Sequence, residues 1–208
     1  MIKFVYFDVG GVVIKDFSGT NKWEELRVEI GITSANQTQF DKLWNETTDT
    51  RDTTFNVDQL VPLLRKNVNI NLPNDYSLLM GFVNRFEKNE SILPVLLAIQ
   101  KEVPMGLLTN MYPRMLDNIY TKDIMPSVNW DVVIDSSIVK IKKPDLKIYK
   151  LAEGQAMVKG NNILFVDNSQ THLDAAQKNF GWQTFLFNPK KSKESSVQLL
   201  NYFNLNKY

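Results

Sequence analysis

The chain has 208 residues, of which 43% are hydrophobic, 11% aromatic and 23% charged; this is ordinary globular usage and excludes both a disordered chain and a small scaffold that needs covalent staples. Its 24 basic and 23 acidic residues nearly cancel, to a net charge of +1, so no long-range field draws it to nucleic acid or an anionic membrane, and an anionic ligand must be held by local groups. The lack of cysteine excludes a disulfide framework, a thiolate zinc site and a cysteine nucleophile and suits a reducing compartment, which makes the cytoplasm the expected location.

The opening segment, MIKFVYFDVGGVVIKDF, is an apolar run broken at Asp8, well short of the roughly 18 residues of a membrane span and without a small-residue cleavage site. It is expected to be a strand from Lys3 to Val9, continuous in β-branched and aromatic residues as a buried parallel strand is. The stretch from Asp16 to Phe86 holds helical patterns only: Trp23, Leu26 and Ile30; Phe40, Leu43 and Trp44 after a Ser34 to Gln37 capping box; Val57, Leu60, Val61 and Leu64; and Tyr76 to Phe86 after Pro73. Strand and helix alternate from there on. Ser91 is expected to cap a helix carrying Leu93, Leu96, Leu97 and Ile99, and Met105 to Leu108 to form a strand ending at Thr109-Asn110. Ile163 to Val166 is the next expected strand, ending at Asp167-Asn168. Asn168 or Ser169 should cap a helix carrying Leu173, Ala176 and Phe180 before Gly181, followed by a strand from Thr184 to Phe187. The basic, polar segment Pro189 to Ser196 is expected to be a solvated loop.

This order predicts an α/β protein: a doubly wound, Rossmann-like parallel sheet built from residues 1–15 and 87–208, with an α-helical subdomain inserted at 16–86. In such sheets ligands sit at the carboxyl ends of the strands, which collects Asp8, Thr109 and Asp167 along one edge. Asp8 before Gly10 and Gly11 is either a turn former or a nucleophile in a loop whose backbone approaches an anion closely. Taken singly, Thr109 is a strand-end turn residue, Lys143 a surface lysine in a basic stretch with Lys140, Lys142 and Lys147, and Asp167 a helix-capping acid.

Together, FVYFDVGGVV, MGLLTN, KKPDLKIY and ILFVDNSQTHLDAA, in that order and context, resemble the four motifs of the haloacid dehalogenase-like hydrolase superfamily, and the helical insertion resembles the C1 cap of its subfamily I. The resemblance covers essentially the whole chain. It implies Asp8 as nucleophile and magnesium ligand, Thr109 as the hydroxyl that holds a transferring phosphoryl oxygen with Asn110 beside it, and Lys143 as the cation between nucleophile and phosphoryl group. Asp167, Asn168 and the Gly10 carbonyl would complete the Mg2+ site, with Gly10 and Gly11 also in the phosphate loop. The implied activity is a magnesium-dependent phosphatase that acts on a small phosphorylated metabolite, sugar phosphates included, through an aspartyl-phosphate. No protein partner can be inferred.

Two departures stand out. Most family phosphatases carry a second Asp two residues after the nucleophile, which protonates the leaving oxygen; here that residue is Gly10, so general acid/base help worth about 10²–10⁴ in rate is expected to be missing. Asn168 replaces the second acid of the last motif and brings no charge to a cation. His172, the only histidine, is either a polar first-turn helix residue or a substitute proton shuttle. Two alternatives follow from the same resemblance: a 2-haloacid dehalogenase, toward which Tyr149 points, and a degenerate member that binds a phosphorylated ligand without turnover. Trp23, Trp44 and Arg51 either line a substrate cavity or simply pack.

Overall fold

The computed structural model describes residues 1–207. In chain order the strands are β1 (Phe4–Phe7), β2 (Ile14–Lys15), β3 (Glu87–Lys88), β4 (Met105–Thr109), β5 (Val132–Asp135), β6 (Ile163–Asp167) and β7 (Gln183–Leu186). The helices are α1 (Lys22–Glu29), α2 (Gln37–Glu46), α3 (Leu60–Asn67), α4 (Leu78–Val83), α5 (Leu93–Gln100), α6 (Met115–Thr121), α7 (Ser136–Val139), α8 (Leu146–Ala156), α9 (Gln170–Phe180) and α10 (Ser192–Asn206). Five strands form one parallel sheet in the order β5-β4-β1-β6-β7, the doubly wound α/β architecture that the alternation predicts. Among the described residues no helix is long and apolar enough to cross a membrane.

The sheet separates two apolar layers, and side-chain alternation along the strands decides which residue enters which. Val5, Phe7, Leu107 and Val166 pack on one side with helices α5 and α10. Phe4, Tyr6, Leu108 and Phe165 pack on the other with α8 and α9. In the second layer the Tyr6 and Trp182 rings stack with centroids 5.9 Å apart, Tyr149 meets Trp182 edge-on at 5.6 Å, and the indole N–H of Trp182 donates to Glu153 Oε1 at 3.1 Å.

Residues 16–86 contain α1 to α4 and no strand. The chain enters this stretch through β2 and leaves it through β3, and the two strands pair antiparallel, Ile14 with Lys88 and Lys15 with Glu87. Its buried side chains, among them Leu26, Phe40, Leu60 and Leu79, belong to the same apolar cluster as Val5 and Phe7. The helical stretch therefore shares an apolar cluster with one layer of the sheet domain instead of closing a separate core.

Several local expectations are corrected. Strand β5 was not expected; it lies at the edge of the sheet, with Val132 half-buried and Val133 exposed, and its apolar run of Val132 to Ile134 is only three residues long. The segment expected to be a loop from Pro189 to Ser196 becomes a 3-10 turn at Pro189–Lys191 and then the start of α10, because Ser195 and Ser196 are buried and their small side chains let α10 lie against α5. Three caps are not formed. The hydroxyl of Ser91 meets Asn89 and Ser196 instead of a helix N-terminus, Asn36 and not Ser34 precedes α2, and Ser169 precedes α9 with no side-chain cap bond. Gly181 does end α9, in the left-handed region at φ 69°.

Gly106, in the middle of β4, marks how closely the aromatic residues of β1 approach. A Cβ there would lie 2.8 Å from Tyr6 Cε1, 3.1 Å from Phe4 Cε1 and 2.9 Å from the carbonyl oxygen of Val132. The last of these is backbone and cannot turn aside. Gly106→Ala is accordingly expected to destabilise the protein by about 1–3 kcal/mol, the usual cost of overpacking; urea unfolding with an unchanged midpoint would show that β5 can shift away freely.

Candidate active site

The register places β1 between β4 and β6, so the residues at their carboxyl ends become neighbours. Asp8 follows β1, with its N–H donating to the Val166 carbonyl at 2.9 Å and its Oδ1 accepting from the Val9 N–H at 2.8 Å. Thr109 ends β4 and Asp167 ends β6, both fully buried. The three strand ends are thus brought together as the sequence predicts.

Lys143 reaches them from the loop before α8. Its ammonium uses all three protons: it donates to the Leu108 carbonyl at 2.7 Å and to Asp167 Oδ2 at 2.7 Å, and lies 3.1 Å from Asp8 Oδ1. The side chain has no exposed surface, so the surface-lysine reading is excluded. The Asn110 side chain holds the lysine backbone at both ends, accepting from the Lys143 N–H at 2.9 Å and donating to its carbonyl at 3.0 Å. The amide of Asn110 is therefore committed to positioning Lys143.

One ammonium faces two carboxylates here, and the charges respond unequally. Burial pushes Asp8 up from its ordinary 3.8 to about 6, with Lys143 acting in the opposite direction and Asp167 adding repulsion. Burial also works against the ionised form of Asp167, but Lys143 and His172 together hold its carboxyl below the usual range. Lys143 stays above the usual lysine range although burial pulls it down, because Asp167 and Asp8 outweigh that pull. Asp167 is in addition fixed by the Ser169 N–H at 2.7 Å to Oδ1 and by His172 Nδ1 at 3.1 Å from Oδ2.

Among the described residues only three buried side-chain polar atoms have no hydrogen-bond partner: Arg27 Nε, Trp130 Nε1 and Thr109 Oγ1. An orphaned buried hydroxyl costs about 1–3 kcal/mol, and this one sits at a strand end beside the nucleophile candidate. It suits an oxygen acceptor supplied by a ligand.

The loop after β1 is tightly built. Gly11 has φ +73°, and a Cβ on it would meet Asn168 Nδ2 at 2.2 Å, so only glycine is accommodated there. The Asn168 amide donates to the Gly10 carbonyl at 3.2 Å and to Ser18 Oγ at 3.0 Å. A Cβ on Gly10 would lie 2.5 Å from Asp16 Oδ2. Burial raises the Asp16 carboxyl above its ordinary range, with the Ser18 N–H acting to lower it.

A cavity of about 430 Å³ opens above these residues. Asp8, Gly10, Asp16, Asn110 and Asn168 line one side, and Trp23, Trp44, Arg51 and Phe82, all from residues 16–86, line the other. The tryptophans and Arg51 both line and pack: the Trp23 and Trp44 rings are 4.8 Å apart, and the Arg51 guanidinium lies 3.8 Å from the Trp44 ring centre. Gly11, Thr109, Lys143 and Asp167 lie outside the cavity lining, in the layer beneath. His172 is not part of the lining either; its ring is bonded to Asp167, and its carbonyl accepts from the Tyr149 hydroxyl at 2.9 Å. Asp16, Asp52, Phe82 and Tyr112 also reach the cavity and carried no signal in the sequence, since none belongs to a motif and each arrives by the folding of the insertion or of the loop after β4.

The donors expected at a divalent cation are Asp8, the Gly10 carbonyl, Asp167 and Asn168. They are all oxygen-bearing, which fits a hard cation such as Mg2+, and two carboxylates against one lysine leave a negative charge for it to balance. Among the described residues no group of three or more His, Cys, Asp or Glu side chains could hold a metal. The set is thus lean in charge, and the Asn168 amide nitrogen is held by the Gly10 carbonyl and Ser18.

No protein-family model matches the chain. Over 82 residues, 38% of this chain and 34% of the relative, it is 33% identical to the (S)-2-haloacid dehalogenase of Pseudomonas putida, so the match spans about a third of that relative. Three solved structures superpose over most of their length. One, from Porphyromonas gingivalis, is described as a predicted HAD-like family hydrolase; it has a TM-score of 0.73 at 18% identity and covers 97% of this chain and 98% of its own. A HAD family enzyme from Bacteroides thetaiotaomicron, in complex with magnesium and inorganic phosphate, gives 0.72 at 17% over 89% and 94%. The 2-haloacid dehalogenase of Pseudomonas syringae pv. tomato gives 0.62 at 15% over 97% and 99%. The chain has the haloacid dehalogenase-like fold. Both phosphate-bound and dehalogenating proteins of this fold are therefore among its likenesses, and the haloacid dehalogenase-like sheet supplies the strand-end edge on which Asp8, Thr109 and Asp167 stand.

The raised carboxyl of Asp8 has a consequence for stability. Between pH 3.8 and about 6 the folded state binds more protons at Asp8 than the unfolded state does, so its contribution to stability falls as pH rises through that window. Asp8→Asn removes the buried charge at nearly constant shape. The variant is expected to be more stable than the parent at pH 7 in EDTA, by up to about 3 kcal/mol, and to lose this advantage near pH 4. Parallel denaturant curves at the two pH values check it; an Asn variant weaker than the parent at pH 7 would mean that the attraction to Lys143 outweighs burial.

Proposed function

We propose that the protein is a magnesium-dependent phosphatase that takes a small phosphorylated metabolite through an aspartyl-phosphate on Asp8, with residues 16–86 acting as the cap over the site. The observation that carries this reading is the buried Lys143 ammonium, held by three acceptors, one of them the Asp8 carboxylate that lines the cavity. Attack of one anion on another needs positive charge at the junction, and a preorganised, water-excluded cation supplies it without reorganisation.

Asp8 Oδ1 is bound by the Val9 N–H and Lys143, which assigns the attack on phosphorus to Oδ2. Lys143 neutralises the nucleophile and, as the bond forms, the phosphoryl oxygens. The Thr109 hydroxyl, without a partner of its own, donates to one of these oxygens. Asn110 acts through Lys143 by fixing its backbone. Asp8, the Gly10 carbonyl, Asp167 and Asn168 would hold Mg2+, which when bound lends further positive charge to the phosphoryl oxygens. The aromatic wall of Trp23, Trp44 and Phe82 with Arg51 suits a substrate whose leaving group has an apolar or planar face and a polar end.

A second reading has its own support. The match to an (S)-2-haloacid dehalogenase, an apolar cavity wall, and a lysine that balances Asp8 without a metal all suit ester formation on Asp8 with halide as leaving group. The test is a panel of phosphate esters with Mg2+ or EDTA, run beside chloride release from (S)-2-chloropropionate. Phosphate release that needs Mg2+, is blocked by aluminium fluoride and falls by several powers of ten in Asp8→Asn is the expected result. Chloride release in EDTA without ester turnover would move the assignment to the dehalogenase, and binding of phosphate esters without turnover would leave a ligand-binding protein.

A further inference from the structure

The glycine at position 10 removes the usual acid, yet the space that an acid would occupy is filled. We propose that Asp16 is the catalytic acid/base of this site, its carboxylate standing where a side chain on residue 10 would otherwise project. The assignment rests on the phosphatase reading above.

Four observations carry it. A Cβ built on Gly10 would lie 2.5 Å from Asp16 Oδ2, 3.3 Å from its Cγ and 3.8 Å from its Cβ, so a side chain on residue 10 would displace the Asp16 carboxylate from the position it holds. Asp16 is brought back over residue 10 by the backbone: the Ile14 N–H donates to the Val9 carbonyl at 3.0 Å, Gly10 bridges Ile14, and β2, which ends one residue before Asp16, is held by β3. The Ser18 N–H binds Asp16 Oδ1 at 2.8 Å, leaving Oδ2 as the oxygen beside Gly10. Asp16 and Asp8 line the same cavity, whereas His172, the other candidate proton carrier, does not.

The proton balance closes on this one group. As Asp8 attacks and the bond between phosphorus and the leaving oxygen breaks, Asp16 in its acid form gives its proton to that oxygen, and the alcohol departs. Asp16 is then a carboxylate. It takes a proton from the water that attacks the aspartyl-phosphate, the bond between phosphorus and Asp8 breaks, inorganic phosphate leaves, and both residues return to their starting forms.

The test compares the parent protein with Asp16→Asn on an alkyl phosphate and on p-nitrophenyl phosphate, whose leaving group needs little protonation. The expected loss on the alkyl ester is about 10²–10⁴-fold. With p-nitrophenyl phosphate, the variant should still release about one equivalent of nitrophenolate in a burst, then turn over slowly because the phospho-enzyme lacks its base. Equal losses on both esters without a burst, or no loss at all, in a folded Asp16→Asn protein would overturn the assignment while leaving the phosphatase reading intact. A parent protein that hydrolyses neither ester would overturn both.

Relocating the carboxylate gives an independent arm that holds even if Asp16→Asn fails to fold. Gly10→Asp combined with Asp16→Gly should exceed Asp16→Gly alone by at least about tenfold on the alkyl ester, within the same acid/base range. Gly10→Asp alone should be impaired, because two carboxylates then compete for one volume. A double variant no better than Asp16→Gly, with Gly10→Asp alone at or above the parent rate, would show that the space beside Gly10 is not where the proton is handled.

Discussion

A single buried ammonium organises the strand-end edge. Lys143 binds the β4 backbone through Leu108, the β6 carboxylate Asp167 and the Asp8 carboxylate after β1, and so ties three segments far apart in sequence to one atom. Without it, two carboxylates would be buried side by side at adjacent strand ends, and breaking a buried pair by removing one partner typically costs about 3–5 kcal/mol. The lysine cannot drift, because the Asn110 amide grips both polar groups of its backbone. Geometry and charge are therefore set by the same contacts, and the raised carboxyl of Asp8 is the residue of that compromise: of two acids sharing one cation, the one with fewer additional donors carries the penalty of burial.

The helical insertion is attached in two different ways. Its apolar side chains join the sheet's own cluster, and β2 with β3 forms its stem. Further ties reach the loops after β4 and before α8, where the Phe82 ring meets Tyr112 edge-on at 5.4 Å and polar contacts add to it. Lys140 donates to the Thr53 carbonyl at 3.2 Å, Lys142 to the Thr48 carbonyl at 2.9 Å, and Arg114 pairs with Asp58 at 2.7 Å, while the Ser136 hydroxyl meets the Asp52 carbonyl. The partly exposed Arg114–Asp58 pair is worth about 0–1 kcal/mol. The insertion is thus held by apolar and polar contacts together, with α4 packed against α6. The basic stretch that reads as uniform in the sequence is divided by the fold: Lys143 goes inward, and Lys140 and Lys142 clasp the rim.

How much of this was legible follows from how far each feature depends on neighbours in sequence. β1, β4 and β6 are buried on both faces and read as unbroken apolar runs, so their ends, and with them Asp8, Thr109 and Asp167, could be placed directly. β5, at the sheet edge, left a run of only three apolar residues, Val132 to Ile134. The start of α10 was hidden because its first turn is basic and polar and is buried through Ser195 and Ser196, small residues that a hydrophobic pattern ignores, ahead of the buried Leu199 and Phe203. The caps failed for a related reason: Ser91 and Asn168 had competing partners, Ser196 and Gly10, that only the tertiary structure supplies. Asn110 was placed beside the site by its motif, but its grip on Lys143 depends on a loop more than thirty residues away.

Position 10 shows the limit of reading chemistry by spacing. A motif assigns a function to a residue number, whereas the reaction requires a group in a volume, and a chain can fill that volume from elsewhere. Glycine at 10 and aspartate at 16 look unrelated in the sequence, one a loss and the other the first residue of an insertion. In the fold they are sterically complementary, since a side chain on the first would lie within 2.5 Å of the second. The same logic governs Gly11, whose missing side chain admits the Asn168 amide. Both glycines of the first loop are thus occupied sites, filled by side chains from β2's end and from the loop after β6. What the sequence presents as a depleted motif is, in three dimensions, a loop whose functional groups have been supplied by other parts of the chain.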